Sequence, residues 1–118
     1  DLDWSSDYEK ALIQAKKENK FVYVLITSDS CRWCRKFEQT TLLDMDIEDR
    51  LEDEYITVHL SRDQHKIPAK FKTSPVPRHY FLDQKGDILY DTLGYRDVEM
   101  FNSFMNNTKE RYAKKNCK

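Results

Sequence analysis

The sequence predicts an α/β fold, a three-layer α/β/α sandwich around a mixed central sheet. Three observations predict it. Helical and extended segments alternate through the first half of the chain. A continuous β-branched and aromatic run at residues 21–26 reads as a strand buried on both faces. A tight turn, Asp83-Gln84-Lys85-Gly86, joins two extended segments farther on. Strands joined through helices should run parallel with a right-handed crossover, and strands joined by a tight turn antiparallel.

Each element has its own justification. Ser6 with Glu9 three residues later forms a capping box that opens the first helix. Tyr8, Ala11, Leu12 and Ala15 give it an apolar stripe, and Lys16, Lys17 and Lys20 suit the negative end of its dipole. The strand at 21–26 follows at once. Thr27-Ser28-Asp29-Ser30 is a polar loop, with Ser30 placed to cap a second helix that starts at Cys31. Cys34, Phe37, Thr41 and Leu42 line that helix, and Asp44 or Asp46 punctuates it. Ile47 and Leu51 mark a short third helix, and residues 55–60 alternate as a strand with Ile56, Val58 and Leu60 on one face. Residues 61–77 are irregular except for a helical turn at 67–71. Strands at 78–83 and 87–92 form the hairpin. Gly94 breaks the pattern, Asp97 caps a last helix carrying Val98, Phe101, Phe104 and Met105, and residues 109–118 form a basic, frayed tail.

Composition bounds the function. The 118 residues carry 20 Lys/Arg against 21 Asp/Glu, a formal net charge of −1. The length suits one domain, residues 1–118. A balanced charge argues against a nucleic-acid partner. The longest apolar run, at 21–26, is far short of the about 20 residues a membrane span needs. Two Trp, seven Tyr and six Phe argue against disorder. Asp1-Leu2-Asp3-Trp4 has neither the basic start nor the apolar stretch of a secretory leader. The chain is therefore expected to be either cytosolic or an exported protein whose leader has been removed.

The chemistry centres on the cysteines. Cys31-Arg32-Trp33-Cys34 is a C-x-x-C, and Cys117 stands alone near the C-terminus as a free thiol by default. The pair follows the most buried strand and opens a helix, where free N–H groups and the positive dipole end stabilise a thiolate. Arg32 adds positive charge beside it. Cys31 is thus expected to be the acidic nucleophile, and Cys34, one turn inside, the buried resolving thiol. Two intervening residues let the sulfurs pair in an exchangeable disulfide. Two other readings stay open here: an inert structural disulfide, and half of a zinc site. The second needs further ligands from Cys117, His59, His65 or His79, and none of these forms a second close-spaced pair.

Thr73-Ser74-Pro75-Val76-Pro77 stands directly before a strand. A buried strand, a C-x-x-C at a helix start, a later X-Pro before a strand, a hairpin with Gly, then Gly94 and a closing helix: this order resembles the thioredoxin-like family along essentially the whole chain. Within it, Cys31-Arg32-Trp33-Cys34-Arg35-Lys36-Phe37-Glu38, followed by Thr40, Thr41 and Leu42, is similar to the group that includes the C-terminal domain of the bacterial transmembrane disulfide reductase DsbD. The SoxW-type periplasmic thioredoxins are also similar.

The resemblance implies that Val76-Pro77 is a cis bond facing the dithiol, with Pro75 trans. It implies that the Val76 backbone pairs with an extended substrate, that Gly94 lets a substrate backbone approach, and that exposed Trp33 contacts the substrate. Glu38, one turn after Cys34, is placed to take the resolving thiol's proton; its plainer roles are a solvated glutamate or a partner for Arg35. Where thioredoxins carry a buried Asp six residues before the first cysteine, this chain has Leu25. The relay is therefore vacant, moved to Glu38, or left to water. His79 is expected to be a sheet-face histidine.

The expected activity is thiol–disulfide oxidoreduction through Cys31 and Cys34, in the direction of reducing disulfides in exported proteins. The alternatives are an oxidase or isomerase role, or a binding module whose dithiol is incidental. The resemblance implies no cofactor beyond the Cys31–Cys34 disulfide and no metal. The expected partners are protein or peptide disulfides and a redox donor or acceptor protein. A monomer in the periplasm or another exported compartment is expected, with the cytoplasm still open. The Arg-Trp pair, unlike Gly-Pro, should make the dithiol more oxidising than thioredoxin's.

Overall fold

A computed structural model of the chain describes residues 2–116; Cys117 lies outside them. The elements run α1 (Tyr8–Glu18), β1 (Phe21–Thr27), α2 (Arg32–Gln39), a 3-10 turn (Thr41–Leu43), α3 (Met45–Glu54), β2 (Tyr55–Ser61), β3 (Arg78–Leu82), β4 (Ile88–Leu93) and α4 (Val98–Asn116). The four strands form one sheet in the order β2-β1-β3-β4. β1 pairs parallel with β2 and antiparallel with β3, which pairs antiparallel with β4.

The sheet separates two apolar clusters. Val22, Val24, Ile26, Ile56, Val58, Leu60, Tyr80 and Leu82 pack with Tyr8, Ala11 and Ala15 of α1 and with Phe71. The alternate residues Tyr23, Leu25, Tyr55 and Phe81 pack with Phe37 of α2, Ile47 and Leu51 of α3, and Phe101 and Met105 of α4. Helices cover both faces, which is why β1 is apolar at consecutive positions rather than alternate ones.

Several boundaries differ from the sequence expectation. Asp7, not Ser6, caps α1: its carboxylate accepts from the Lys10 N–H at 3.1 Å, so the anion itself sits at the positive dipole end. Cys31 rather than Ser30 caps α2, and Thr41 and Leu42 leave the helix for the 3-10 turn. Residues 67–71 make no helix. Pro68 disfavours helical geometry at Ile67, and what remains is a turn closed by Phe71 N–H to the Pro68 carbonyl at 3.0 Å. The basic tail is helical to Asn116 instead of frayed. Arg111 donates to the Leu89 carbonyl at 2.9 Å, and Lys115 reaches Asp83 at 2.6 Å and Asp87 at 2.5 Å, which pins α4 to the hairpin.

Candidate redox site

The loop after β1 delivers the two cysteines. β1 is buried from Val22 to Thr27, so its end is fixed, and the Cys31 N–H then closes a turn onto the Ser28 carbonyl at 3.3 Å. Cys31 has extended backbone and begins α2 as its cap; its Sγ accepts from the Cys34 N–H at 3.1 Å. Cys34 is wholly buried, while Cys31 is partly exposed. The two are joined as a disulfide with Cα atoms 5.2 Å apart. The sulfur of residue 31 therefore occupies the place where a capping oxygen would take up free helical N–H groups. Position 31 is the reachable one, and position 34 is held behind it.

Trp33 is 51% exposed. Its ring centroid lies 6.1 Å from that of Tyr95, and the Lys36 ammonium sits over both rings, at 5.2 and 5.0 Å. The Tyr95 hydroxyl also pairs with the Thr40 hydroxyl at 3.3 Å, and Thr41 donates to the Arg96 carbonyl at 2.7 Å. These contacts tie α2 to the loop that carries Gly94.

That loop is tied in turn to the proline segment. Gly94 N–H donates to the Pro77 carbonyl at 2.8 Å. Gly94 has φ of +95°, a conformation that disfavours any side chain, and a Cβ there would meet nothing within 4 Å. The space beside its Cα is therefore empty, while its N–H and carbonyl are both bonded within the protein. The Ser74–Pro75 and Val76–Pro77 bonds are both cis; Pro75 was expected trans and is corrected here. Pro77 is buried and Val76 partly so.

His79 lies on the sheet face, wholly buried, with its ring 4.8 Å from that of Phe37. One ring nitrogen, Nε2, faces the Gly94 carbonyl at 2.8 Å and must carry the proton, since a carbonyl only accepts. Nδ1 then accepts from the Tyr23 hydroxyl at 2.7 Å. Burial drives the imidazole down to about 4, with Arg96 adding to the depression and the Gly94 hydrogen bond opposing it. A neutral histidine thus latches the Gly94 loop to β1.

Glu38 follows Cys34 by one turn and is partly buried. It lines a cavity of about 310 Å³ with Leu25, His59, Glu48, Trp4 and Leu42. His59 is brought there by the β1–β2 register, which sets it opposite Leu25. Its Nε2 lies 2.9 Å from the Thr27 hydroxyl. Burial lowers its pKa, and Glu38 opposes the shift. Sequence reasoning missed His59 as a neighbour of Glu38. The alternation of residues 55–60 gave only its face, setting Tyr55, Thr57 and His59 on the α2 side of the sheet; the pairing with Leu25 that brings it to Glu38 comes from the strand register.

Arg32 is exposed beside Cys31. Among the described residues no group of three or more His, Cys, Asp or Glu side chains is placed to hold a metal ion. No described helix is long and apolar enough to cross a membrane.

The comparisons with known proteins agree with this architecture. The family description "Thioredoxin-like domain" matches residues 8–109. Anterior gradient protein 3 of Mus musculus is 23% identical over 94 residues, which are 80% of this chain and 57% of that protein. Spermatogenesis-associated protein 20 of Rattus norvegicus is 27% identical over 63 residues, 53% of this chain but 8% of that protein. The chain thus spans little more than half of the first relative and a small part of the second. Among solved structures, a DsbH oxidoreductase superposes with a TM-score of 0.72 at 21% identity, covering 92% of this chain and 85% of that one. A thioredoxin from Thermus thermophilus gives 0.72 at 21% identity, with 96% and 88% covered. The oxidised DsbD C-terminal domain of Neisseria meningitidis gives 0.70 at 14% identity, with 92% and 99% covered. At these identities the structures share the fold.

Proposed function

This chain belongs to the thioredoxin-like domain family, and from that premise we propose that it is a thiol–disulfide oxidoreductase which reduces disulfides in exported proteins. The observation that carries the reading is the position of Cys31. Its sulfur caps α2, accepts a helical N–H, and is paired with a buried Cys34 one turn on.

The proposed reaction starts from the dithiol. The Cys31 thiolate attacks one sulfur of a substrate disulfide; a Cys31–substrate bond forms and the other substrate sulfur leaves as thiolate. Cys34 loses its proton and attacks Cys31. The Cys31–Cys34 bond forms and the second substrate sulfur leaves. Two electrons pass to the substrate, and both of its sulfurs end as thiols after taking up protons. A dithiol donor protein then reduces Cys31–Cys34 by the same exchange in reverse.

In this reading Arg32 supports the thiolate, and Trp33, Val76, Pro77 and Gly94 receive the substrate chain. Glu38 accepts the Cys34 proton. The cavity it shares with His59 supplies a partly buried carboxylate on the side of the sheet where Leu25 offers none. The disulfide is the only redox group required, residues 1–118 act as one domain, and the protein works as a monomer. The exported compartment rests on the likeness of the 31–38 helix to the DsbD group.

Insulin reduction followed by turbidity tests the reading. The wild-type protein with a chemical reductant should accelerate precipitation, and Cys31→Ser should abolish the acceleration. Undiminished activity in Cys31→Ser would overturn it. Cys34→Ser should instead accumulate a mixed disulfide, seen by intact mass.

A further inference from the structure

Although the chain is almost neutral overall, with a net charge of −1, residues 31–37 (CRWCRKF) contain three cations and no carboxylate. Arg32, Arg35 and Lys36 project into one groove of about 470 Å³, completed by Ser30, Gln39 and Thr40. No acidic residue lines it. Arg32, Arg35 and Lys36 have no ion-pair partner among the described residues. Arg35 donates to the backbone carbonyl of Asp29, and Lys36 rests on the rings of Trp33 and Tyr95. The nearby Asp29 carboxylate accepts from the Ser61 hydroxyl and the Gln64 amide, each at 2.8 Å, outside the groove lining, and also feels the Arg35 charge, so Arg32 and Lys36 are the cations left freest. Ser30 and Arg32, the chain neighbours of Cys31, line the groove, so its edge lies beside that residue.

We infer that this groove selects substrate segments with Asp or Glu beside the reacting cysteine. The inference rests on the oxidoreductase reading and extends it to a substrate class. Unpaired cations beside a reacting atom attract and orient a carboxylate, and they raise the encounter rate as well as the stability of the mixed disulfide. The hydroxyls of Ser30 and Thr40 and the Gln39 amide supply further donors for the same group. A basic flank would meet three like charges and be disfavoured.

The test uses three disulfide-linked reporter peptides that differ only in the residues flanking one cysteine: Glu, Gln or Lys. Mixed in excess with each peptide for a single turnover, the reduced full chain should reduce the Glu peptide about three- to tenfold faster in second-order rate constant than the Lys peptide, with Gln between. The ratio should shrink toward one as salt is raised. The double variant Arg32→Glu, Lys36→Glu should reverse the order. Taking the ratio within each protein cancels any common change in Cys31 reactivity. Equal turnover of the three peptides at low salt, or an order unmoved by the double variant, overturns the inference and leaves the oxidoreductase reading standing. Turnover of none of them overturns that reading, and the inference with it.

Discussion

At the scale of single residues, His79 carries a consequence its position in the sequence did not announce. Its buried ring accepts from Tyr23 and donates to the Gly94 carbonyl, so it must stay neutral to do both. The folded pKa of about 4 lies below the ordinary value of 6.5. The unfolded chain therefore binds the proton first as pH falls, and the stability present above 6.5 drains away between 6.5 and about 4. The loss should approach about 3 kcal/mol at the acid end, as an order of magnitude. Urea unfolding at about pH 7 and about pH 4.5 should show this slope, and His79→Gln should flatten it. An equal slope in the variant would place the acid sensitivity elsewhere. Gly94→Ala should cost about 1 kcal/mol, because the Ala must hold φ at +95°, while the free space around it adds no clash. If substrate backbone uses that space, KM should rise more than kcat falls. The cysteines and their neighbour Arg32 were legible at this scale from spacing, and exposed Trp33 from the family resemblance. The His79 latch was not, because its partners are strand residues and a loop carbonyl far away in sequence.

At the scale of elements, the hairpin and α4 depend on each other through Asp83. This carboxylate is buried and ends β3 instead of extending it. Oδ1 accepts from the N–H groups of Lys85 and Asp87, at 2.9 and 3.0 Å, and Oδ2 meets Lys115 at 2.6 Å. The turn and the last helix thus share one anion. Asp83→Ala should destabilise the fold by about 2–4 kcal/mol, since it removes the turn's acceptor and strands the ammonium. Lys115→Ala should cost less, because the turn N–H groups keep their acceptor. Thermal unfolding of the two variants checks the order, and the reverse order would refute it. The turn was readable from Asp-Gln-Lys-Gly, as were the four strands along the chain, the parallel β1–β2 pair and the antiparallel hairpin; the sheet order that sets β3 against β1 was not. The helical tail was not readable. A run of lysines looks like a solvated end until the anions that receive it, thirty residues back in the chain, are brought alongside.

At the scale of the whole molecule, the sheet sets the end of β1 against the start of α2, and the Gly94 and Pro77 loops are bonded to each other beside it. Pattern and turn chemistry carried that architecture, because periodicity reports which face of an element is buried. What they did not carry is which residues meet across the sheet. The cavity shared by Glu38 and His59 follows from strand register, which one strand's alternation cannot supply. The same architecture predicts the redox poise. Replacing Arg32 and Trp33 by Gly and Pro should remove charge support from the thiolate and make the dithiol more reducing, with about 30 mV for each 1.4 kcal/mol. Equilibration against a glutathione buffer reads this, and an unchanged or higher potential would contradict it. The most direct test of the whole account is titration of Cys31 in the Cys34→Ser protein, followed by the ultraviolet absorbance of the thiolate. Ionisation well below the free-thiol value of about 8.5 is the result expected of a sulfur that caps a helix. An ordinary, unshifted value would contradict it.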